Sequence, residues 1–525
     1  MSMGSNDPQQ GRLTRRELLR GSVATGAVML LAGCAPSAPP ASTAAPAAKG
    51  LGTVNVIIGA EISGFDPAKT LQLEDFSAIN AMVDKLARMS ATNSGQLEPR
   101  LATSWQAVEP TRWRFKLREG VKFHNGSAFD AETAKWSIER YAKEALPALR
   151  RRMPVERVDV VDKHTIDVIT AVPTGLVPLY MNGGADQLDP KWTAGPEYST
   201  EKAMGTGPTR FVEWVKGQRL VLEANPDFWG GKQPYDRIVI RAVSDNSTRA
   251  NAAIAGEGDI VRNILPQDVA RVSQRQGVSV KTVASNRVVS IRFRDDEKPF
   301  DNKLVRQALN YAVNVGEIIK SVLGGYGVPV QGWTQGPSVQ GFQKDITGYP
   351  FDPEKAKSLL AQAGFPKGFT TKIGTSRGLN QGDFEFVQAL AGQLRQVGIE
   401  AEVVLHESGA YSAIINGEKP SEPLVYWSSG NIIPDVENGF RDLITERSFM
   451  VRAPELKGFF DKLQSTVDQK ERERIGREGI LFLRDYAPVI FGYQMVQTYA
   501  VSDRLAWAPR ADEWILPDEI GARSA

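Results

Sequence analysis

Val489-Ile490-Phe491-Gly492-Tyr493-Gln494-Met495-Val496-Gln497-Thr498-Tyr499-Ala500-Val501 reads as one long apolar strand, rich in β-branched and aromatic residues. It lies close to the end of a 525-residue chain, where it can return to a lobe that the chain left earlier. A chain of this length exceeds what one hydrophobic core usually serves, so two or more lobes are expected.

The residues leading into this strand are helical. Ile475 to Asp485 forms one apolar stripe, and Leu456, Phe459, Phe460, Leu463 and Val467 another. Further back, Phe384, Val387, Leu390, Ala391 and Leu394 mark a helix, and Ile399, Ala401, Val403 and Leu405 alternate as a strand. Strand, helix, strand in this order implies parallel βα units. Asp352-Pro353 opens a helix with Asp as N-cap, Pro in the first turn and Gly364 as stop. Asp301 opens another, bearing Val305, Ala308, Leu309 and Ala312, and Asn314 with Glu317 reads as a capping box. The texture changes just before this, at the strand Val288 to Phe293.

Strands dominate the earlier part: Val54–Ile58, Trp113–Leu117, Val121–Phe123, Thr165–Ile169, Leu220–Leu222 and Ile238–Ile240. Helices are expected over Ala78–Met89, after Asp130, and over Ser247–Ala255. One further run, Leu424-Val425-Tyr426-Trp427-Ser428-Ser429-Gly430-Asn431, ends in two aromatics and then small polar residues. By itself a strand ending in Tyr-Trp reads as core. The same residues also suit a ligand contact, because aromatics give flat area and Ser and Asn give direction.

Composition narrows the function classes. An apolar fraction of 42% and a charged fraction of 24% are those of a globular protein. Thr14-Arg15-Arg16-Glu17-Leu18-Leu19 is a twin-arginine pattern, followed by the short apolar run Val23 to Leu31 and by Leu31-Ala32-Gly33-Cys34. That ending resembles a lipobox, whose cysteine is acylated and becomes the first mature residue. Residues 1–33 are thus expected to be a signal peptide, Cys34 the lipidated residue, and 34–50 a flexible Pro/Ala/Ser tether. Cys34 is the only cysteine, which rules out a disulfide framework. Beyond residue 33 the chain carries 59 basic and 59 acidic residues, a balance that argues against nucleic-acid binding.

Motifs for chemistry are absent. The sequence contains no Gly-x-Ser-x-Gly elbow, no phosphate loop and no His-Glu-x-x-His. Gly205-Thr206-Gly207 lacks the third glycine of a dinucleotide loop and reads as a structural turn. The three histidines, His124, His164 and His406, have no partner at ligand spacing. No metal or cofactor is expected. Carboxylates are plentiful, and sequence alone singles out no catalytic pair.

Several stretches, in order, resemble the solute-binding proteins of ABC importers for peptides, opines and nickel. They are Gly64-Phe65-Asp66-Pro67, Leu97 to Trp105, Trp113 to Gly126, Gly205-Thr206-Gly207-Pro208, Asn225-Pro226-Asp227-Phe228-Trp229, Val305 to Ala312 and Asp352 to Ala356. The resemblance implies an α/β, two-lobed periplasmic-binding-protein fold (type II, cluster C-like) with an extra domain inserted in the first lobe. Lobe I would be 51–93, 210–294 and 496–525, the inserted domain 94–209, and lobe II 295–495. Function would be capture without catalysis: hinge closure around a small solute or short peptide, then delivery to an ABC permease by a monomeric, lipid-anchored protein held outside the cytoplasm.

The resemblance also implies a site: Ser63, Gly64, Phe65, Arg377, Asn380, Tyr426, Trp427, Ser428, Ser429, Gly430 and Asn431. It turns Tyr426-Trp427 from core into cleft wall. Arg377-Gly378-Leu379-Asn380 resembles the Arg-x-x-Asn stretch that holds a peptide carboxylate in dipeptide binders of the class. Those binders carry an Asp three residues after the Trp to pair with the peptide ammonium, and here that place is Gly430. The expected ligand is therefore acidic and not a standard dipeptide: opine-like, sugar-containing or a modified peptide. The alternatives are an ordinary di- or oligopeptide binder, an exported hydrolase on the same scaffold, or a non-transporting sensor or chaperone.

Overall fold

The structure is a computed structural model that describes residues 50–523, apart from 71, 92–95, 151–152, 197, 331, 334, 337–338, 378–379, 431–432 and 446–448. The twin-arginine segment, Cys34, the tether and Asn431 lie outside the described residues.

β1 (Thr53–Ile58) is followed by the short pair β2 (Ala87–Met89) and β3 (Leu97–Pro99). β4 (Ala102–Glu109), β5 (Arg112–Leu117), β6 (Val155–Asp162) and β7 (Thr165–Thr170) form a separate antiparallel sheet in the order β4-β5-β7-β6. β8 (Thr209–Val215), β9 (Arg219–Ala224), β10 (Arg237–Ala242) and β11 (Ile260–Arg262) come next, then the long β12 (Val278–Phe293). β13 (Gly327–Pro329), β14 (Phe369–Thr375), β15 (Ile399–Leu405), β16 (Leu424–Ser429) and β17 (Val489–Ser502) follow.

One mixed sheet runs β15-β14-β16-β12-β17-β11-β1-β10-β9-β8, with β13 on β17. Its two halves are lobe-like and are joined by β12 and β17, which pair antiparallel along both halves. On one side β11, β1 and β10 run parallel; on the other β14 lies parallel to both β15 and β16. The opening stretch of the sequence is thus the returning strand, and it extends to Ser502.

Alternate side chains of β17 serve opposite faces. Ile490, Tyr493 and Met495 enter a core with Val289, Ile291, Phe293, Leu390 and Leu424, while Val489 and Phe491 enter one beneath the helices Pro454–Ser465 and Gln469–Tyr486. The other half buries Val54, Val56, Ile238, Ile260 and Tyr499. The antiparallel sheet has a core of its own around Phe115, Phe123, Ile138 and Val168.

Three local expectations change. The helix expected over Ala78–Met89 spans Leu73–Met82, and Val83 is already extended. Tertiary contact ends it: a Cβ at Gly205 would lie 2.5 Å from the Met82 carbonyl, and Gly207 N–H donates to that carbonyl at 2.9 Å. Asp84 and Lys85 then turn inward, Lys85 reaching Asp186 at 3.3 Å. Val121–Phe123 is not a strand but the start of a closed loop, in which Phe129 N–H donates to Val121 O and Phe123 packs edge-on against Phe129. The helix expected to open at Asp301 is capped by Asn302 instead, whose Oδ1 accepts from Leu304 N.

Candidate functional site

The site expected from sequence falls at the carboxyl ends of β14 and β16, where open α/β sheets present their ligand-facing loops. Asn380, beyond the end of β14, donates from Nδ2 to Ser428 Oγ at 2.8 Å. Its own N–H is held by Asp383 Oδ2 at 3.0 Å, in the first turn of the helix Asp383–Arg395. The structure therefore brings Asn380, Ser428, Ser429 and Gly430 together, all partly exposed.

Trp427 is also partly exposed. Its Nε1 donates to Asp442 Oδ2 at 2.9 Å. The same carboxylate takes Arg292 Nη2 at 2.6 Å, and the Arg292 guanidinium lies 5.5 Å from the Trp427 ring centre. Phe449 packs on Trp427 at 5.5 Å. Trp427 is thus oriented from behind by a buried cation and its carboxylate.

Tyr426 is different. Its side chain is fully buried in the core that also holds Phe386 and Tyr493, so it stands in the core rather than at a cleft surface. The period-2 alternation of β16 turns it to that side. Burial holds its phenol well above the ordinary pKa, so it stays neutral.

Arg377 is brought near but not into this cluster. Its side chain is 60% exposed, lies over Phe384 at 4.2 Å and approaches Glu385 at 3.9 Å.

The Gly64-Phe65 stretch lies on the other half of the molecule. Ser63 is exposed; its N–H and Oγ both donate to the buried Asp75, at 2.7 and 2.5 Å. Phe65 is buried against Phe211 and Trp214, and its N–H donates to Thr200 O at 2.7 Å. Asp66 receives Arg140 at 2.7 Å and Tyr198 Oη at 2.5 Å. Burial opposes the charge on Asp66, but these donors overcome it and hold its pKa below the usual value. Phe65 and Asp66 act as a clasp, leaving Ser63 as the exposed member of the group.

Sequence reasoning missed the residues between these two groups. β12 bulges where the lobes meet: Ala284 pairs with Val496 and Val288 with Gln494, so Ser285, Asn286 and Arg287 stand opposite Met495 alone. Ser285 O accepts from Gln494 Nε2 at 2.7 Å, and Asn286 N–H donates to Ala511 O at 2.7 Å. The bulge carries Arg287 to Gly430, where a Cβ would lie 3.2 Å from its Nη2 and 3.3 Å from its Nη1. Arg287 Nε lies 3.5 Å from Glu513 Oε1, while Glu513 Oε2 accepts from Arg262 Nη2 at 2.5 Å. Arg262 also reaches Glu74 at 3.3 Å. Burial opposes the Arg262 charge, but Tyr499, Glu513 and Glu74 outweigh it and raise its pKa. No local motif marks Arg287; only the unpaired β12 residues beside β16 reveal it.

Two of the three histidines have ring-nitrogen partners, while His164 Nδ1 is buried without one. His124 Nε2 meets Gly207 O at 3.1 Å, and burial lowers its pKa to about 4 despite that carbonyl. His406 Nε2 meets Glu422 Oε1 at 2.8 Å. Among the described residues, no group of three or more His, Cys, Asp or Glu is placed to hold a metal ion.

Two lobe-like halves of a mixed sheet joined by crossing strands are typical of periplasmic-binding proteins. Residues 96–442 match the middle region of the bacterial extracellular solute-binding proteins, family 5, and the chain belongs to that family. It is 29% identical to heme-binding protein A of Haemophilus influenzae over 71% of this chain and 73% of that protein. It is 27% identical to the dipeptide-binding protein of Escherichia coli K12, over 75% and 80% respectively. Among solved structures, the periplasmic binding protein AgaA of Agrobacterium tumefaciens R10, in complex with agropinic acid, superposes with a TM-score of 0.75 at 21% identity, covering 90% of this chain and 99% of that one; this likeness is one of fold. The family and fold are those of non-catalytic solute-binding proteins of ABC importers that work outside the cytoplasm.

Proposed function

We propose that this chain is the lipid-anchored capture component of an ABC importer for a small acidic solute other than a standard dipeptide. The signal through residue 33, acylation at Cys34 and a tether to residue 50 would hold a monomer at a membrane. The fold would be the type II, cluster C-like arrangement, with lobe I at 51–93, 210–294 and 496–525, an inserted domain at 94–209 and lobe II at 295–495. The solute would be enclosed between lobes by rotation about β12 and β17, in contact with Ser63, Gly64, Asn380, Trp427, Ser428, Ser429, Gly430 and Asn431. Phe65 and Tyr426 would support the walls from behind, and Arg377 would act from the rim.

The observation that supports this reading is the Arg287 guanidinium against Gly430, the position at which the family resemblance expects a carboxylate in dipeptide binders. A primary ammonium enclosed beside that guanidinium would cost several kcal/mol, about what an unpaired buried charge costs. A ligand-panel thermal-shift assay tests it: acidic conjugates should raise the melting temperature more than unmodified dipeptides. Stabilisation by unmodified dipeptides alone would return the protein to the ordinary peptide binders, the second reading, which the similarity to the Escherichia coli dipeptide-binding protein favours. Arg377→Ala should weaken acidic ligands selectively.

A further inference from the structure

We infer that Arg287, on the bulge of β12, is the residue that reads the anionic end of the solute, and that this end is a carboxylate placed beside Gly430. The inference rests on the solute-capture reading and sharpens it to a substrate class: small conjugates that present a carboxylate, rather than a primary ammonium, to the end of β16.

The two terminal nitrogens of Arg287 are the atoms nearest the Gly430 Cβ position, and the ion pair of this guanidinium with Glu513 is made at 3.5 Å through Nε. Cζ is only slightly farther, at 3.4 Å, so the Gly430 Cβ position lies toward the guanidinium face, and a carboxylate beside it would meet the paired N–H groups along the adjoining edge. Glu513 cannot swing toward them freely, since its other oxygen is held by the buried Arg262 and its backbone has φ 66°, a left-handed conformation rare for side chains of this kind. Arg287 is itself fixed: its side chain is 25% exposed and its N–H donates to Ser285 Oγ at 3.1 Å. A clamped backbone, a carboxylate at the rear and a fork at the front form a preorganised anion receptor. Glycine at 430 keeps the space before the fork open. An aspartate there would fill it with a carboxylate of the protein's own.

Isothermal titration of the full-length chain with three probes tests the assignment. N-(1-carboxyethyl)glutamate carries carboxylates and no primary ammonium, Met-Leu is an ordinary dipeptide, and glucose 6-phosphate supplies a phosphate. The carboxylate probe should bind most tightly. Arg287→Gln should weaken it at least 30-fold, Arg287→Lys by less, and Gly430→Asp as much as Arg287→Gln. Arg287→Lys keeps the charge and decides the matter if the Gln variant does not fold. Binding of the carboxylate probe to Arg287→Gln within threefold of wild type, or tighter binding to Gly430→Asp, would overturn the assignment. So would a wild-type preference for Met-Leu or glucose 6-phosphate. If no probe binds and none compacts the chain in small-angle scattering, the solute-capture reading itself fails, and that result is distinct from lost selectivity in the variants.

Discussion

Removing the Asp442 carboxylate should unseat Trp427, which the structure holds from behind. Asp442 accepts from Arg292 at 2.6 Å and from Trp427 Nε1 at 2.9 Å, and the Arg292 side chain is only 1% exposed. Breaking a buried pair by deleting one partner costs about 3–5 kcal/mol, and an indole N–H losing its acceptor adds about 1 kcal/mol. Allowing for solvent near Asp442, whose side chain is 14% exposed, Asp442→Ala should cost about 4 kcal/mol. For a cooperative unit of the second lobe's size that is a fall of about 10 °C in melting temperature. Replacing both charges, as Arg292→Met with Asp442→Leu, should recover most of the loss, because a buried pair and an apolar pair of similar volume are nearly equivalent. Differential scanning calorimetry and tryptophan fluorescence follow both variants. A single variant within 2 °C of wild type, or a double variant that melts below the single one, would refute the reasoning.

Gly205→Ala should destabilise by about 2 kcal/mol, because its Cβ would meet the Met82 backbone at 2.5 Å and backbone cannot move aside as a side chain can; urea titration checks it, and an unchanged midpoint would contradict it. Asp66→Asn should loosen the Phe65 clasp by leaving Arg140 only the more exposed Glu144 as a carboxylate partner, a loss of about 2 kcal/mol visible as faster proteolysis between residues 61 and 72. His124 gives a pH dependence: its folded pKa of about 4 lies below the unfolded 6.5, so the unfolded state binds the extra proton between those values. Stability should be complete above about pH 6.5 and fall as the pH drops toward 4, by about 2 kcal/mol once partial exposure of the ring is allowed for. His124→Gln should lack that component, and parallel pH profiles for the two proteins would rule it out.

The motifs that carry the family resemblance turn out to hold the fold. Gly205 and Gly207 let β8 begin against the end of a helix, Trp229 donates to Asp84, and Arg306 donates to the carbonyls of Phe300 and Tyr486. Such residues are legible in sequence because backbone approach and buried hydrogen bonds admit few side chains. The site was half legible. Asn380, Ser428 and Gly430 meet because local strand ends bring them together. Tyr426 went inward because its place on β16 fixes the face it takes, which a run of apolar residues does not disclose. Arg287 was hidden, since a bulge depends on how β12 pairs with β17, a contact about 200 residues apart in sequence. The helix expected through Met89 failed for the same reason: Lys85 and Asp186 form their pair across the chain, outside any helical period.

Ile433 lies three residues beyond Gly430, yet it is buried in the core around Phe123 and Val168 rather than in the one that holds Tyr426. On the proposed closure, parting the lobes would draw this side chain out of an apolar socket and into water. Burial of an isoleucine contributes about 2 kcal/mol, which biases a two-state equilibrium roughly 30-fold. Under that closure, this one contact would favour the shut state and make openings rarer. The affinity measured for any solute would include the rarity of those openings, and trimming Ile433 to Ala would admit the same solute faster without altering one atom that touches it.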